Sequence, residues 1–245
     1  VQIGVGRPGS LSPLTGLVRN SNTQSLNGQP IGQDLETALS RPVRLANDAN
    51  CFALSEARDG AGQGAQSVFG VILGTGCGGG LVINGALQEG VNGVGGEWGH
   101  NPLAAPTAEE TPGTPCYCGR RSCNEVWLSG WGFARDHATV TGQNMTAIEI
   151  MAAGTPEAEA SIERLCDRIA SALGAVINLL DPEVIVLGGG LSNADALYTR
   201  VPEIWHNYIF SDVIHTKLLK NRHGDSSGVR GAAWLWPSTT DINEG

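Results

Sequence analysis

The chain has 245 residues, which are enough to bury a sizeable core as one large domain or two smaller ones. Its 24 acidic residues exceed its 15 basic residues, and the formal net charge of −9 argues against nucleic acid as a partner, because phosphate backbones bind basic surfaces. The sequence contains neither an apolar run long enough to span a membrane nor a basic-then-apolar leader, so we expect a cytoplasmic protein without a membrane partner.

Strand and helix patterns alternate along the first part of the chain, which favours an α/β fold. The patterns predict a strand over Val1–Val5, a helix over Ile31–Ser40, a strand over Val43–Ala46 and a helix over Cys51–Arg58. The small residues at 60–66 that follow are typical of a link between domains.

The second part continues the alternation. A buried strand is predicted over Ser67–Leu73, and Asn84-Gly85 predicts the turn of a hairpin between Leu81–Ile83 and Ala86–Gln88. Apolar residues at three-to-four spacing predict one long helix over Pro156–Leu180. The remaining predicted elements are a buried strand within 184–190 and helices over Ala194–Tyr208 and Ser226–Trp236.

Two of these strands run into glycine-rich loops, ILGTGCGGG at 72–80 and VIVLGGG at 184–190. Small residues after a strand expose backbone N–H groups and let a phosphate approach without side-chain clashes. Neither loop has the G-x-G-x-x-G or G-K-[ST] pattern of the common nucleotide motifs. A plain turn is the alternative for each loop, but two in one chain favour a phosphate or nucleotide site.

Three of the six cysteines are clustered in the segment PCYCGRRSCNE, and His100 lies upstream in GEWGH. In a cytosolic chain, this grouping favours a structural metal site over disulfides. Cys116, Cys118 and Cys123 would supply three thiolates, and His100 would complete a tetrahedral zinc site. The alternative is a set of reduced thiols on a loop. The other cysteines lie on apolar patterns and are predicted core residues: Cys51, Cys77 and Cys166.

Asp48 follows a short predicted strand in the segment LANDANC. A carboxylate in that place can accept a hydroxyl proton during phosphoryl transfer. It could equally be the N-cap of the next helix, unless Asn50 takes that role, and the sequence leaves this open. Glu97 and Glu125 would be held near the metal by the cysteine loop, or would otherwise be ordinary surface acids.

Taken together, the motifs resemble those of the ROK family of sugar kinases and repressors. The resemblance rests on LGTGCGGGLVINGALQEGVNGVGGEWGH, on LANDANC, on VIVLGGG and on the cysteine segment, where Ser122 stands at a position that is usually glycine. It covers practically the whole chain. It is closest to the bacterial fructokinase/mannokinase branch, through GRPGSLSPLTGLVRNSNTQSLNGQP and GDSSGVRGAAWLW.

The resemblance implies a hexokinase/actin-like, ribonuclease H-like ATPase fold, which is an α/β fold of two domains with an interdomain cleft. The small domain would comprise 1–63 plus 225–237, and the large domain 64–224 with the zinc loop. Family kinases open with a D-x-G-G-T-K phosphate loop that this sequence lacks. We therefore expect the first strands of the small domain to be missing and phosphorylation by the chain as written to be weak.

The resemblance also implies roles for individual residues. Asp48 would be the general base on the sugar hydroxyl. The implied sugar-binding residues are Gly9, Ser10, Asn22, Asn47, Glu97, His100 and Glu125. The implied nucleotide-binding residues are Gly74, Thr75, Gly76, Gly188 and Gly189. The implied ligands of a structural Zn²⁺ are His100, Cys116, Cys118 and Cys123. ATP and Mg²⁺ are the other implied cofactors.

The leading functional hypothesis is ATP-dependent phosphorylation of a hexose, fructose or mannose, at its primary hydroxyl by a homodimer. Two alternatives remain, which are the sugar-sensing domain of a ROK-type repressor and a catalytically impaired sugar-binding fragment. Asp48 in an intact N-D-A-N segment favours an enzyme, because a sensor must bind sugar but needs no base.

Overall fold

A computed structural model describes residues 2–236. The strands are β1 (Ile3–Arg7), β2 (Ser10–Leu11), β3 (Val18–Arg19), β4 (Val43–Asn47), β5 (Ser67–Leu73), β6 (Cys77–Ile83), β7 (Ala86–Leu87), β8 (Val184–Gly188) and β9 (Lys217–Lys220). The helices are α1 (Ile31–Leu39), α2 (Asp48–Arg58), α3 (Asn124–Leu128), α4 (Gly130–Thr141), α5 (Ala147–Ala153), α6 (Pro156–Leu180), α7 (Ala196–Ile204) and α8 (Ser227–Ala233). None of the helices described is long and apolar enough to cross a membrane.

The strands form three sheets with the orders β1-β4, β2-β3 and β7-β6-β5-β8-β9. The pair β1 and β4 is parallel, as is the pair β8 and β9, whereas β6 and β7 form an antiparallel hairpin. Parallel pairs joined through helices confirm the α/β class that the alternating pattern predicted. The predicted strand Val1–Val5 begins at residue 1, and the predicted small domain ends at residue 237. Both of these residues lie outside the described residues.

Two predicted elements are confirmed to the residue, namely the strand β5 and the long helix α6. Helix α2 begins at Asp48, three residues before the predicted start at Cys51. The last helix ends at Ala233 and is shorter than the predicted Ser226–Trp236. Of strand β6, the sequence predicted only the last residues, Leu81–Ile83. The three glycines before them have a low strand propensity.

Close packing explains the glycines in β6. A Cβ added at Gly80 would lie 2.9 Å from both the carbonyl oxygen of Ala49 and the Cβ of Ala53. Since both of these atoms belong to α2, only glycine lets the strand and the helix approach so closely.

The chain divides into two compact units. Unit 1 comprises Val1–Gly70, Gly79–Gly96 and Asn221–Gly245, and unit 2 comprises Val71–Gly78 and Glu97–Lys220. The strands β5 and β6 contribute residues to both units. The domain boundaries drawn from the sequence, at 63/64 and 224/225, stay a prediction about folding units.

In unit 1, helix α8 packs closely on β1 and α2. A Cβ on Gly4 would overlap the carbonyl oxygen of Ala232, and one on Gly231 would overlap the carbonyl oxygen of Cys51. A buried carboxylate adds polar contacts between the same segments. Glu56 of α2 is fully buried and accepts hydrogen bonds from the backbone N–H of Arg222 at 3.1 Å and the hydroxyl of Ser227 at 2.7 Å. These contacts hold α8 beside β1 and beside α2, the helix that begins at Asp48.

In unit 2, α6 lies at the centre of the helices and buries a continuous apolar face. Its first turn is capped by Thr155, whose hydroxyl accepts the N–H of Ala158, and Pro156 occupies the first turn, where its missing N–H costs nothing. Arg168 of the same helix is buried and pairs with Glu110 at 2.5 Å and with Asp136 at 2.8 Å. This ion-pair network joins α6 to α4 and to the loop before the cysteine segment.

Candidate active site

The carboxyl ends of β1 and β4 bring three of the predicted sugar-site residues together in unit 1. Asn47, the last residue of β4, pairs in parallel register with Arg7 of β1. Its Nδ2 donates to the carbonyl oxygen of Gly9 at 3.0 Å, and Asp48 follows it as the first residue of α2. Open α/β sheets place their ligands at this end of the strands, so this edge is the candidate site for a small polar ligand.

Asn47 is the cap of α2. Its Oδ1 accepts the N–H of Ala49 at 2.8 Å, and its backbone is extended. The Oδ1 of Asp48, the residue next to Ala49 in the chain, accepts the same N–H at 2.9 Å. The two capping alternatives considered from the sequence, Asp48 and Asn50, are therefore both wrong, because the helix starts earlier than the pattern indicated. Asp48 remains exposed on the first turn and is accessible to a ligand.

The surroundings of Asp48 favour its proton-bound form. Desolvation by the neighbouring protein raises the pKa of this carboxyl above its ordinary value, although the N–H of Ala49 and the Arg7 guanidinium act in the opposite direction. A carboxylate with a raised pKa is a stronger proton acceptor, which suits a general base.

The strand pair β2–β3 and its flanking residues contribute Gly9, Ser10 and Asn22. Gly9 has a φ of +76°, and a Cβ there would lie 2.5 Å from the carbonyl oxygen of Arg19, so only glycine fits. The hydroxyl of Ser10 is buried and has no hydrogen-bond partner among residues 2–236, as expected of a group that a ligand or water satisfies. Asn22 is exposed on the same loop.

In unit 2 the structure gathers the four predicted zinc ligands. One ligand atom from each of His100, Cys116, Cys118 and Cys123 lies within 4.8 Å of all the others. The Sγ of Cys116 is 3.7 Å from the Nδ1 of His100, and the Sγ of Cys118 is 3.6 Å from that of Cys123. Tetrahedral zinc with ordinary bond lengths separates two sulfurs by about 3.8 Å and a sulfur from a nitrogen by about 3.6 Å. The donor set and both spacings therefore fit a Cys₃His zinc site.

The thiols of this cluster differ in acidity. Burial raises the pKa of Cys116 and raises that of Cys123 to about 12. Burial acts on Cys118 in the same direction, but hydrogen bonds from the backbone and side chain of Arg120 outweigh it and lower the pKa to about 6. These hydrogen bonds favour the thiolate form of Cys118, which is the form that binds a metal.

Two carboxylates flank this cluster in unit 2. Glu125 lies in the first turn of α3, directly after the cysteine segment, and its Oε2 accepts the N–H of Cys77 at 3.1 Å. A Cβ on Gly76 would lie 2.8 Å from the same oxygen, so the glycine loop and Glu125 are in direct contact. Glu97 precedes the 3₁₀ turn Trp98–His100, and its carbonyl oxygen accepts the N–H of His100 at 3.3 Å.

The sequence did not point to Tyr117, which lies between the first two cysteines of the cluster. Its hydroxyl is 3.0 Å from the Nε2 of His100, and the two rings meet edge to face. Burial and the nearby Glu125 raise the pKa of Tyr117. When Nδ1 binds a metal, Nε2 carries the ring proton and donates it to this hydroxyl. Such a partner fixes the imidazole orientation, leaving Nδ1 directed at the thiols.

Ser122 occupies the position where the resembling family usually has glycine. Its φ is +54°, a left-handed conformation that glycine adopts without cost. The serine hydroxyl compensates by accepting the indole N–H of Trp127 at 3.0 Å. This departure from the family pattern is therefore accommodated inside the loop and leaves the four ligand positions unchanged.

The two predicted phosphate loops meet in unit 2. A Cβ on Gly189 would lie 2.6 Å from the carbonyl carbon and oxygen of Leu73 and 2.9 Å from the nitrogen of Gly74. The carbonyl oxygen of Gly74 in turn accepts the N–H of Gly130, at the start of α4, at 2.8 Å. Two strand ends and a helix start thus converge on one small volume, whereas the phosphate site expected at the two loops stays a prediction.

A cavity of about 890 Å³ opens beside these loops. Ligand pockets of proteins span about 300–1,000 Å³, so the volume suits a nucleotide-sized molecule. Its lining includes Gly74, Thr75 and Gly190 of the glycine loops, with apolar side chains such as Trp131, Ile148 and Met151 from α4 and α5. Gly76, Gly188 and Gly189 of the predicted set adjoin this lining without being part of it. The sequence had not indicated α4 or α5, so it missed the apolar wall.

Gly189→Ala is expected to lower the free energy of unfolding by at least about 2 kcal/mol, because its backbone conformation is one that only glycine adopts readily. Gly189 has φ +81° and ψ 175°, and the added methyl would collide with the backbone of Leu73. Gly190→Ala is the control, since a Cβ there meets no atom within 4 Å. Urea unfolding of both variants checks this, and equal stability would show that the two loops separate easily.

Both the sequence and the fold match known proteins. The sequence profile of the ROK family matches residues 1–239. An N-acetyl-D-glucosamine kinase from Photobacterium profundum is 43% identical over 240 residues, and the match covers 95% of this chain and 79% of that protein. Other proteins of the same name from Yersinia, Vibrio and Pasteurella species show identities of 41–42%.

Solved structures agree with the sequence comparison. The crystal structure of a ROK hexokinase from Thermus thermophilus is 32% identical and superposes with a TM-score of 0.84, covering 100% of this chain and 80% of that one. A ROK family glucokinase from Streptomyces griseus, solved with glucose and AMPPNP, is 27% identical with a TM-score of 0.82 over 96% of this chain and 80% of that one. The expected hexokinase/actin-like fold is thereby confirmed. The chain belongs to the ROK family, and over nearly its whole length it is similar to sugar kinases.

Proposed function

We propose that this protein transfers the γ-phosphoryl group of ATP to the primary hydroxyl of a hexose, and that N-acetyl-D-glucosamine is the preferred hexose. The observation that carries the proposal is the place of Asp48, an accessible carboxylate with a raised pKa at the carboxyl end of a parallel strand. A sugar sensor has no use for such a base, so the same observation favours an enzyme over the repressor-type alternative.

Asp48 takes the proton of the primary hydroxyl as that oxygen attacks the γ-phosphorus. The new bond joins the sugar oxygen to phosphorus, the bond to the bridging oxygen of ATP breaks, and ADP leaves with the electron pair. Asn47 holds the sugar for this attack. Its amide already binds Gly9 and Ala49, so one N–H and one lone pair remain for ring hydroxyls. Gly9, Ser10 and Asn22 supply the rest of this side of the sugar site.

The cavity beside the glycine loops is assigned to the nucleotide. Its apolar wall of Trp131, Ile148 and Met151 suits a base, and the backbone of Gly74, Thr75 and Gly76 suits the phosphates. Gly189 packs closely on the first loop, directly after Gly188, the last residue of the neighbouring strand β8. A Mg²⁺ ion bound to the phosphates would neutralise their charge. The AMPPNP complex of the Streptomyces glucokinase supports the assignment.

Glu97, His100 and Glu125 are assigned to sugar hydroxyls, His100 through its Nε2, which would exchange the Tyr117 hydroxyl for one of the sugar. A structural zinc ion would fix the segment that carries them. The support is positional, since α3 begins directly after Cys123 and carries Glu125 in its first turn. The zinc would be held by His100 and the three clustered cysteines. We also propose the homodimer that the family resemblance implies, which sedimentation or light scattering tests directly.

The choice of sugar rests on the relatives. The sequence motifs resembled the fructokinase/mannokinase branch, but the curated relatives at 41–43% identity are N-acetyl-D-glucosamine kinases, so the expectation of fructose or mannose is not confirmed. Hexoses differ by single hydroxyls or by an acetamido group. Discrimination among them depends on hydrogen bonds that a motif does not encode.

Sugar-dependent release of ADP tests the proposal. The protein is incubated with ATP and, separately, with N-acetyl-D-glucosamine, glucose, mannose and fructose, and sugar binding is followed by calorimetry in parallel. We expect kcat/KM to be higher for N-acetyl-D-glucosamine than for the other three sugars, by about tenfold or more. The sugars can be ranked in this way even when every rate is low. A higher value for fructose or mannose would overturn the substrate assignment. Release of ADP that no sugar accelerates would overturn the kinase.

A further inference from the structure

Arg7 is a cation in an unusual place, which no sequence motif indicated. It is the last residue of β1, only 7% exposed, and it stands opposite Asn47 in the parallel register of β1 and β4. Asp48 follows Asn47, so the guanidinium is anchored at the same sheet edge as the proposed base. The rest of β1 is built from glycine and aliphatic residues.

The guanidinium is poorly satisfied. Its one hydrogen bond runs from Nη1 to the carbonyl oxygen of the adjacent Pro8 at 3.2 Å, and its Nε is buried without a partner among residues 2–236. No ion pair joins Arg7 to a carboxylate of the described residues, in contrast to Arg168, which has two. Burying a cation without an ion-pair partner is costly, and such a charge is retained where its field has a use.

The titratable groups around Asp48 show where that field acts. Arg7 lies on the neighbouring strand, opposite the residue before Asp48, Cys51 lies one turn further along α2, and Glu89 in the loop after β7 acts on Arg7 through its charge. Burial raises the pKa of the Asp48 carboxyl; the backbone N–H groups of Ala49 and Asp48 oppose this effect in part, and Arg7 opposes it as the neighbouring cation. Only an ionised carboxylate can accept the hydroxyl proton.

We propose that Arg7 is a positioning residue for the reaction, acting through Asp48: its buried guanidinium, which lies at the same sheet edge and has no ion-pair partner among the described residues, supplies positive charge that favours the ionised form of the base. The proposal rests on the proposed function. Arg7 touches neither substrate in this account, and it acts by charge rather than by a hydrogen bond.

Arg7→Met removes the charge and keeps most of the side-chain volume. Carbon-13 NMR of aspartate-labelled protein, assigned with Asp48→Asn, reports the titration midpoint of Asp48 without requiring turnover. We expect Arg7→Met to move this midpoint upward by about one pH unit, since an adjacent cation stabilises a carboxylate by about one to three such units. Arg7→Lys should restore it. Arg41→Met, which removes an exposed arginine just before β4, is the control and should leave it unchanged.

The pH dependence of kcat provides the second readout. Removing the cation makes Asp48 hold its proton to higher pH, so the acid limb of the Arg7→Met profile should move upward, with about tenfold lower kcat below the limb and recovery above it. Any of three results would overturn the proposal. The kcat of Arg7→Met could be lowered equally at every pH, the titration midpoint of Asp48 could stay in place, or this midpoint could move while the acid limb of the kcat profile does not. If the unmodified protein shows no sugar-dependent turnover, the proposed function fails, and the NMR midpoint still reports separately whether Arg7 acts on Asp48.

Discussion

Asp48→Asn is expected to lower kcat for sugar phosphorylation by about 10²–10⁴-fold, the usual loss when a general base is removed. Asparagine has nearly the shape of aspartate and can still accept the N–H of Ala49, which Asp48 contacts at 2.9 Å, so the first turn of α2 should be preserved. It cannot take up a proton. The dissociation constant of the sugar should therefore change little, and steady-state kinetics with calorimetry separates the two effects.

The control is Asp34→Asn, which removes the same charge from the exposed first turn of α1 in the same unit. It should leave both kcat and sugar affinity unchanged. If Asp48→Asn turns over at nearly the rate of the unmodified protein, Asp48 is only a residue of the helix start, and the kinase assignment must rest on other groups. A matching loss in Asp34→Asn would point to a general effect of charge instead.

The fold was predictable where apolar periodicity met a clear stop. Helix α6 has an apolar residue at every third or fourth position and ends before Asp181-Pro182, and both of its predicted bounds are confirmed. Helix α4 was missed because its buried face carries Asp136 and His137. Asp136 pairs with Arg168 at 2.8 Å, and the Nδ1 of His137 bonds to Ser161 at 2.9 Å; both partners lie on α6, which a single segment cannot reveal.

The residues of the candidate site could likewise be predicted only where the signal lies within one segment of the chain. The cysteine cluster could be identified because its members lie close in sequence, and the structure brings the ligand atoms together. Arg7 could not, because its significance comes from the register that pairs it with Asn47 in a distant strand. The apolar wall of the cavity was likewise missed, since Ile148 and Met151 belong to a short helix whose exposed side is apolar only where it lines the pocket.

Cys118→Ser is expected to abolish stoichiometric zinc binding. The unmodified protein should contain one zinc ion per chain, because its four donor atoms lie within 4.8 Å of one another and fit tetrahedral coordination. Serine keeps the size of the side chain but is a poor zinc ligand, and the neighbouring Cys123 would lose its partner at 3.6 Å. Elemental analysis of the dialysed protein measures the metal content, and thermal unfolding with and without a chelator measures its contribution to stability.

Sugar affinity should fall with the metal, by about tenfold or more, because a misplaced Glu125 would lose a hydrogen bond to the sugar, and hydrogen bonds to charged groups contribute about 1.5–3 kcal/mol. The physical link is short: Cys123 is the residue before α3, and Glu125 in the first turn of that helix contacts the backbone of Cys77. Cys166→Ala is the control, since Cys166 is buried on α6 outside the cluster, and this variant should keep both zinc and sugar affinity. Full zinc content in Cys118→Ser would exclude the four-ligand site. A zinc-free protein that binds sugar with unchanged affinity would instead separate the metal from the sugar site and leave Glu125 positioned by the packing of α3 alone.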